Sequence, residues 1–123
     1  GIDHAMAHTL SAHYDTPHGV ACAMLLPIAM EFNKPVVAER LADVAVAMGV
    51  DTAGMTTDEA ADAAIAAVRQ LSADVDIPTV CEAITEDELD QIADDALADA
   101  CYPGNPRDAD HETVVELFRK IMK

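Results

Sequence analysis

Eleven consecutive residues, Val20 to Met30, include no charged, amide or hydroxyl side chain. The run falls well short of the ~20 residues that cross a bilayer. A helix that is apolar on all faces is buried. The run therefore predicts a central helix over Pro17–Phe32, with the rest of the chain wrapped around it. Pro27 lies inside it and removes one backbone donor, so a bend is expected there.

The flanking segments read as helices too. Residues 1–13 have helical period, and Asp15-Thr16-Pro17 breaks them from the central helix. Thr16 is placed to cap that helix and Pro17 suits its first turn. Pro35 opens the next helix, with Leu41, Val44, Ala45 and Met48 on one face and Gly49 as its stop. Thr56 with Glu59 forms a capping-box pattern, and Ala61, Ala64, Ile65, Val68 and Leu71 follow as a stripe. Thr85 with Glu88 repeats the pattern ahead of Leu89, Ile92, Ala93, Ala96, Leu97 and Ala100. After the loop Tyr102–Arg107, a last helix from near Asp110 buries Val114, Leu117, Phe118 and Ile121. No segment alternates apolar and polar residues over strand length. The expected fold is all-α: a compact bundle of five to six helices forming one domain over residues 1–123. Methionines 6, 24, 30, 48 and 122 fall at apolar positions and read as core, as does Cys81.

The 123 residues fold into roughly 6,300 Å² of accessible surface against about 19,000 Å² unfolded, so a true core is available. Twenty-three acidic and seven basic residues give a formal charge of −16. A nucleic-acid backbone or an anionic membrane needs a basic face, so no nucleic-acid and no membrane partner is expected. There is no basic, apolar, cleavable leader. Cys22, Cys81 and Cys101 are odd in number and lack a CxxC pair, which fits a reducing cytoplasm. The chain begins at Gly1 in the middle of a patterned segment, as expected of a fragment or separate domain.

Four of the five histidines, His4, His8, His13 and His18, lie in the first eighteen residues. His4 and His8 are four apart, on one helix face, where two imidazoles can serve one metal or one pocket. HxxxH alone is a weak signal. The longer text is not: Gly1-x-x-His4-x-Met6-Ala7-His8, then Tyr14-Asp15-Thr16-Pro17-His18-Gly19-Val20-Ala21, Leu25-Leu26-Pro27 and Phe32-Asn33. Met48-Gly49, Ile77-Pro78 and Asn105-Pro106-Arg107 continue it.

Over essentially its whole length the chain resembles the C-terminal half of the iron-containing alcohol dehydrogenases, and within them the lactaldehyde reductase/propanediol oxidoreductase branch. The resemblance implies the helical domain of a dehydroquinate synthase-like fold. It implies a metal, Fe²⁺ or Zn²⁺, held by one aspartate and three histidines, with His4 and His18 as two of them. His8 would lie near the nicotinamide of a bound NAD(P) and the substrate as catalytic proton relay and cofactor contact. Cys101 would lie close to the substrate pocket, with plain packing as the alternative. The implied parent interconverts short-chain primary alcohols or diols and aldehydes, needs an N-terminal nucleotide-binding domain as partner, and is a possible homodimer.

That partner domain is absent from this text. No histidine here follows an aspartate by four residues, the pattern expected for the other two ligands, and no Gly-rich phosphate loop follows a strand. The isolated chain is therefore expected to be inactive. Thr9, Ser11, His13 and Cys22 depart from the family's usual proline, glycine, aromatic and asparagine. Cys22 reads as a small buried residue, with metal ligation the alternative. His13 reads as surface or pocket rim, and His111 as a surface residue of the last helix. Asn105-Pro106-Arg107 reads as fixing its loop. The competing function is a non-catalytic acidic helical module that binds a divalent metal or a partner helix.

Overall fold

The computed structural model describes all residues from Gly1 to Lys123 and contains no strand. Five α-helices follow one another: α1 (Ile2–Tyr14), α2 (His18–Ala47), α3 (Thr57–Asp74), α4 (Leu89–Ala98) and α5 (His111–Arg119). Two 3₁₀ turns, Glu86–Glu88 and Tyr102–Gly104, precede and follow α4. The accessible surface of 6576 Å² is close to the value expected for a folded chain of this mass.

Two apolar clusters form. The larger has 21 buried residues from α1, α2, α4, α5 and the segment before α4, including Met6, Leu10, Leu25, Phe32, Ile92 and Phe118. The smaller sets Met30, Leu41 and Ala45 of α2 against Ala61, Ala64 and Ile65 of α3. Helix α2 contributes to both clusters, as its apolar text predicts. It is not buried on every face, however: Leu26 is 40% exposed.

Where the predicted breaks fall differs in instructive ways. The helix expected to begin at Pro35 is continuous with α2, and the only non-helical dihedrals lie at Val37 (φ −128°, ψ 21°). Pro35 fits there because the backbone just beyond it already departs from the helical ladder. Pro27 leaves the surrounding dihedrals helical. Thr16 caps nothing; Pro17 itself occupies the N-cap, and Asp15 makes the turn in the left-handed region (φ 54°). An aspartate tolerates that conformation better than a branched residue does.

The helix stop at Gly49 holds: its φ is +87°. Gly49 and Val50 donate to the carbonyls of Val46 and Ala45, both at 3.0 Å, closing a Schellman motif. Thr56 caps α3 by accepting from the Glu59 N–H at 3.1 Å, and Asp110 caps α5 by accepting from the Thr113 N–H at 2.8 Å. The Thr85 hydroxyl instead donates to the Glu88 carboxylate at 2.7 Å. That sequence begins a 3₁₀ turn, and α4 starts only at Leu89.

The stripes on the second half of α2 and on α3 are only half used. Leu41 and Ala45 are buried, but Val44 and Met48 are each 38% exposed, and Leu71 of α3 is 53% exposed. Alanines at the contact let the two backbones approach closely, which leaves the longer flanking side chains outside. Length and composition alone would let α2 cross a membrane, beyond what the eleven-residue run suggested, because the helix extends past that run. Yet 44% of its most apolar stretch is buried inside the molecule.

Candidate active site

The site is built on the packed pair α1–α2 and on the loop after α4. The N-terminus of α1 is pinned to that loop. The Gly1 ammonium donates to the Cys101 carbonyl at 2.6 Å, and the Ile2 N–H donates to Asn105 Oδ1 at 3.1 Å. Asn105 and Asn33 exchange two amide hydrogen bonds, at 2.8 and 3.1 Å. Arg107 donates to the Phe32 carbonyl at 2.6 Å, and its guanidinium lies 4.4 Å from the centre of the Phe32 ring. Asn105-Pro106-Arg107 therefore ties the loop to α1 and α2.

At the other end of α1, the Ser11 hydroxyl donates to the Thr16 carbonyl at 2.7 Å across the turn. This turn fixes where His18, the first residue of α2, meets the His4–His8 face of α1. The three rings converge. Their centres are 6.2 Å apart for His4 and His8, 5.7 Å for His4 and His18, and 5.4 Å for His8 and His18. His4 and His18 are exposed and His8 is half-buried.

Two donor clusters share this face. In one, ligand atoms of His4, His18 and Cys22 all lie within 4.8 Å of one another. Cys22 is half-buried rather than enclosed in the core, with Sγ 3.5 Å from His18 Nε2. Burial pushes its thiol upward, and the nearby Asp3 carboxylate adds to the shift. Asp3 is itself pushed up to about 6 by burial, partly offset by the N-terminal ammonium. Its Oδ1 is buried with no hydrogen-bond partner. The other cluster is His8, Asp99 and Cys101, with the same mutual spacing.

His8 Nδ1 lies 3.0 Å from Asp99 Oδ2, and Asp99 Oδ1 accepts from the Cys101 N–H at 2.8 Å. Burial raises Asp99, but the Cys101 N–H and the His8 imidazole outweigh it and hold the carboxyl below its ordinary range. A carboxylate there keeps the proton of neutral His8 on Nδ1, which leaves Nε2 as the acceptor.

The reading of the sequence singled out His8 and Cys101 but not Asp99. The signal was an aspartate two residues before that cysteine, Asp99-Ala-Cys101. His13 stands apart from the three clustered rings and pairs with Asp95 at 2.6 Å. His111 lies on the surface of α5, bridging Asp94 at 2.8 Å and Asp90 at 3.0 Å.

Imidazole suits Fe²⁺ and Zn²⁺ alike. The cluster on α1 and α2 thus has the chemistry and the spacing to hold such an ion.

Comparison with known proteins gives a consistent answer. Lactaldehyde reductase of Escherichia coli (strain K12) is 44% identical over 120 residues, covering 96% of this chain and 31% of that protein. The 1,3-propanediol dehydrogenase of Citrobacter freundii is 41% identical over 122 residues, covering 98% and 32%. The crystal structure of a 1,3-propanediol oxidoreductase superposes with a TM-score of 0.96 at 39% identity, over 98% of this chain and 32% of that one. An alcohol dehydrogenase from Oenococcus oeni gives 0.94 at 42% identity, with the same coverage. The chain thus spans about a third of the length of these relatives. The family model described as "Fe-containing alcohol dehydrogenase family, C-terminal" matches residues 1–122. This chain belongs to the iron-containing alcohol dehydrogenase family and carries its C-terminal helical domain.

Proposed function

We propose that the chain works within a longer NAD(P)-dependent alcohol dehydrogenase that interconverts short-chain primary alcohols or diols and the corresponding aldehydes. The observation that carries this reading is the convergence of His4, His8 and His18 at the junction of α1 and α2. His4 and His18 would hold Fe²⁺ or Zn²⁺ together with an aspartate and a histidine from an Asp-x-x-x-His pattern upstream of this chain in the longer protein. When bound, the divalent ion supplies Lewis acidity toward an alcohol or carbonyl oxygen, and the dinucleotide supplies the hydride chemistry.

The chain's own residues do the rest. His8 contacts the nicotinamide side of the pocket and takes up, at Nε2, the proton that alcohol oxidation releases. Asp99 holds the opposite ring nitrogen and stabilises the imidazolium that results. Cys101, beside the His8–Asp99 pair, lines the substrate pocket. The names of the relatives, a lactaldehyde reductase and propanediol dehydrogenases, support small aldehydes and diols as substrates. A cytoplasmic homodimer is part of the same reading.

The test separates ligand from relay in the longer protein. His4→Ala and His18→Ala should lose metal and turnover together. His8→Ala should keep its metal and lose turnover by roughly 10²–10⁴-fold, the usual worth of a positioned proton-transfer group. If His8→Ala lost metal as fully as His4→Ala, the division of roles would fall, and His4-x-x-x-His8 would be a metal clip.

A further inference from the structure

One donor at the junction of α1 and α2 has no part in the reading above. Cys22 lies four residues after His18, one helical turn along α2 and on the same face. Its Sγ is 3.5 Å from His18 Nε2 and 4.0 Å from Nδ1. Zinc bound at about 2.3 Å from sulfur and about 2.0–2.1 Å from nitrogen, with tetrahedral angles, sets those two donors ~3.6 Å apart. The Cys22–His18 separation is therefore that of two ligands on one ion. His4, reaching across from α1, brings a third donor within 4.8 Å of both. All three stand near the starts of two helices that the Ser11–Thr16 contact and the Asn105 network hold in place.

We propose that Cys22 is a sulfur ligand of the metal, completing a His4–His18–Cys22 set supplied wholly by this chain. The inference rests on the assignment of His4 and His18 as ligands. The S–H proton passes to water as the sulfur–metal bond forms, so the set carries one negative charge. A thiolate is a soft ligand, and it turns a site that imidazole alone leaves open to Fe²⁺ or Zn²⁺ toward Zn²⁺. Three donors from one chain also give the domain a metal site of its own, to which the upstream aspartate and histidine of the longer protein would add.

The chain builds its own 21-residue core, so the 123-residue protein is the material for the test. Co²⁺, which takes the place of Zn²⁺ and is coloured, is titrated in under anaerobic, reducing conditions. The expected result is a near-ultraviolet sulfur-to-cobalt charge-transfer band together with visible ligand-field bands. The band should persist in Cys81→Ser and Cys101→Ser and vanish in both Cys22→Ser and Cys22→Ala. Far-ultraviolet circular dichroism checks that each variant remains helical. Zn²⁺ affinity, measured by displacement of Co²⁺, should weaken at least about tenfold in Cys22→Ser. Visible bands without charge transfer, lost in His4→Ala, would overturn sulfur ligation and leave the two histidines standing. A charge-transfer band that survived Cys22→Ser would overturn it as well. No cobalt signal in the unaltered chain would overturn the three-donor site; the His4 and His18 assignment is tested separately, by metal content of the longer protein.

Discussion

Asn105→Ala should unfold the junction between the last loop and α1, although Asn105 is far in sequence from both of its helical partners. The side chain accepts from the Ile2 N–H and from the Asn33 amide, and donates to Asn33 Oδ1 and to the Arg107 carbonyl. The Arg107 carbonyl is at the surface, and water replaces that bond at little cost. The other three bonds are different. Ile2 is 1% exposed, so its N–H, one of the orphan donors at the head of α1, loses its only partner. The Asn33 amide, half-buried, loses two. At a net ~1 kcal/mol for each bond, with more where a donor is stranded, the loss comes to about 3 kcal/mol. That is a large share of the ~5–15 kcal/mol by which a domain is stable. Urea unfolding followed by circular dichroism measures it. With a slope of about 1–3 kcal/mol per molar, the midpoint should fall by ~1–3 M. Asn33→Ala closes a double-mutant cycle, and the two reciprocal amide bonds should give a coupling of ~1–2 kcal/mol. A loss below ~1 kcal/mol, or independent effects of the two substitutions, would refute the claim that this pair anchors α1 and, with it, His4.

Two further outcomes follow from the helix ends and the surface histidine. Asp76 sits in the left-handed region (φ 61°) just past α3, with a Schellman bond from the Ile77 N–H to the Ser72 carbonyl at 2.8 Å. Asp76→Gly relieves that strain and removes a negative charge from the negative end of the helix. It should stabilise the chain by ~1 kcal/mol, a Tm rise of ~3–5 °C, and an unchanged or lower Tm would count against it. His111 has its pKa raised from 6.5, chiefly by its hydrogen bond to Asp90, with burial opposing and Asp94 adding to the rise. Its contribution is complete below the unfolded value and is lost as pH rises through the raised folded value. The Tm advantage of the unaltered chain over His111→Ala should therefore be larger at pH 6 than at pH 9. A pH-independent difference would show that the imidazolium bridge contributes nothing.

Much of this was legible in the sequence because it is local. The apolar run of α2, the Gly49 stop and the caps at Thr56 and Asp110 each depend on residues within one or two turns. The same holds for the His4–His8 pair. What escaped was set by packing between distant segments. Val44, Met48 and Leu71 have stripe periodicity, yet only the alanine contact between α2 and α3 decides how much of each stripe is covered. Pro35 announces a helix start, but whether the chain separates there depends on what α3 holds in place. Asp99 lies ninety-one residues from its partner His8. A sequence shows the aspartate and the histidine but not the fold that sets one against the other. Cys22 was read as a core residue because a cysteine in an apolar run usually is. It does pack, half-buried, against the main core, and its Sγ also lies 3.5 Å from His18 Nε2 because both residues share one helix face.

The acidic side chains make a further sense of the histidines. Three of the five are paired with carboxylates that α4 and the residue after it supply: His8 with Asp99, His13 with Asp95, and His111 with Asp90 and Asp94. A carboxylate favours an N–H facing it, so such a ring is fixed in orientation and tautomer. A metal ligand needs one ring nitrogen whose lone pair nothing else claims, and its other nitrogen can still hold a carboxylate. His4 and His18 have no carboxylate partner, and the contact beside His18 is the sulfur of Cys22. The charge of −16 is thus not a uniform coat. Along α4 and just after it, carboxylates are set against three of the rings, and the two rings assigned to the metal have none. His8, only 5.4 Å from His18 between ring centres, keeps Nε2 free while Asp99 holds Nδ1, so its assignment to the proton rests on the family resemblance, and the metal content of His8→Ala decides it.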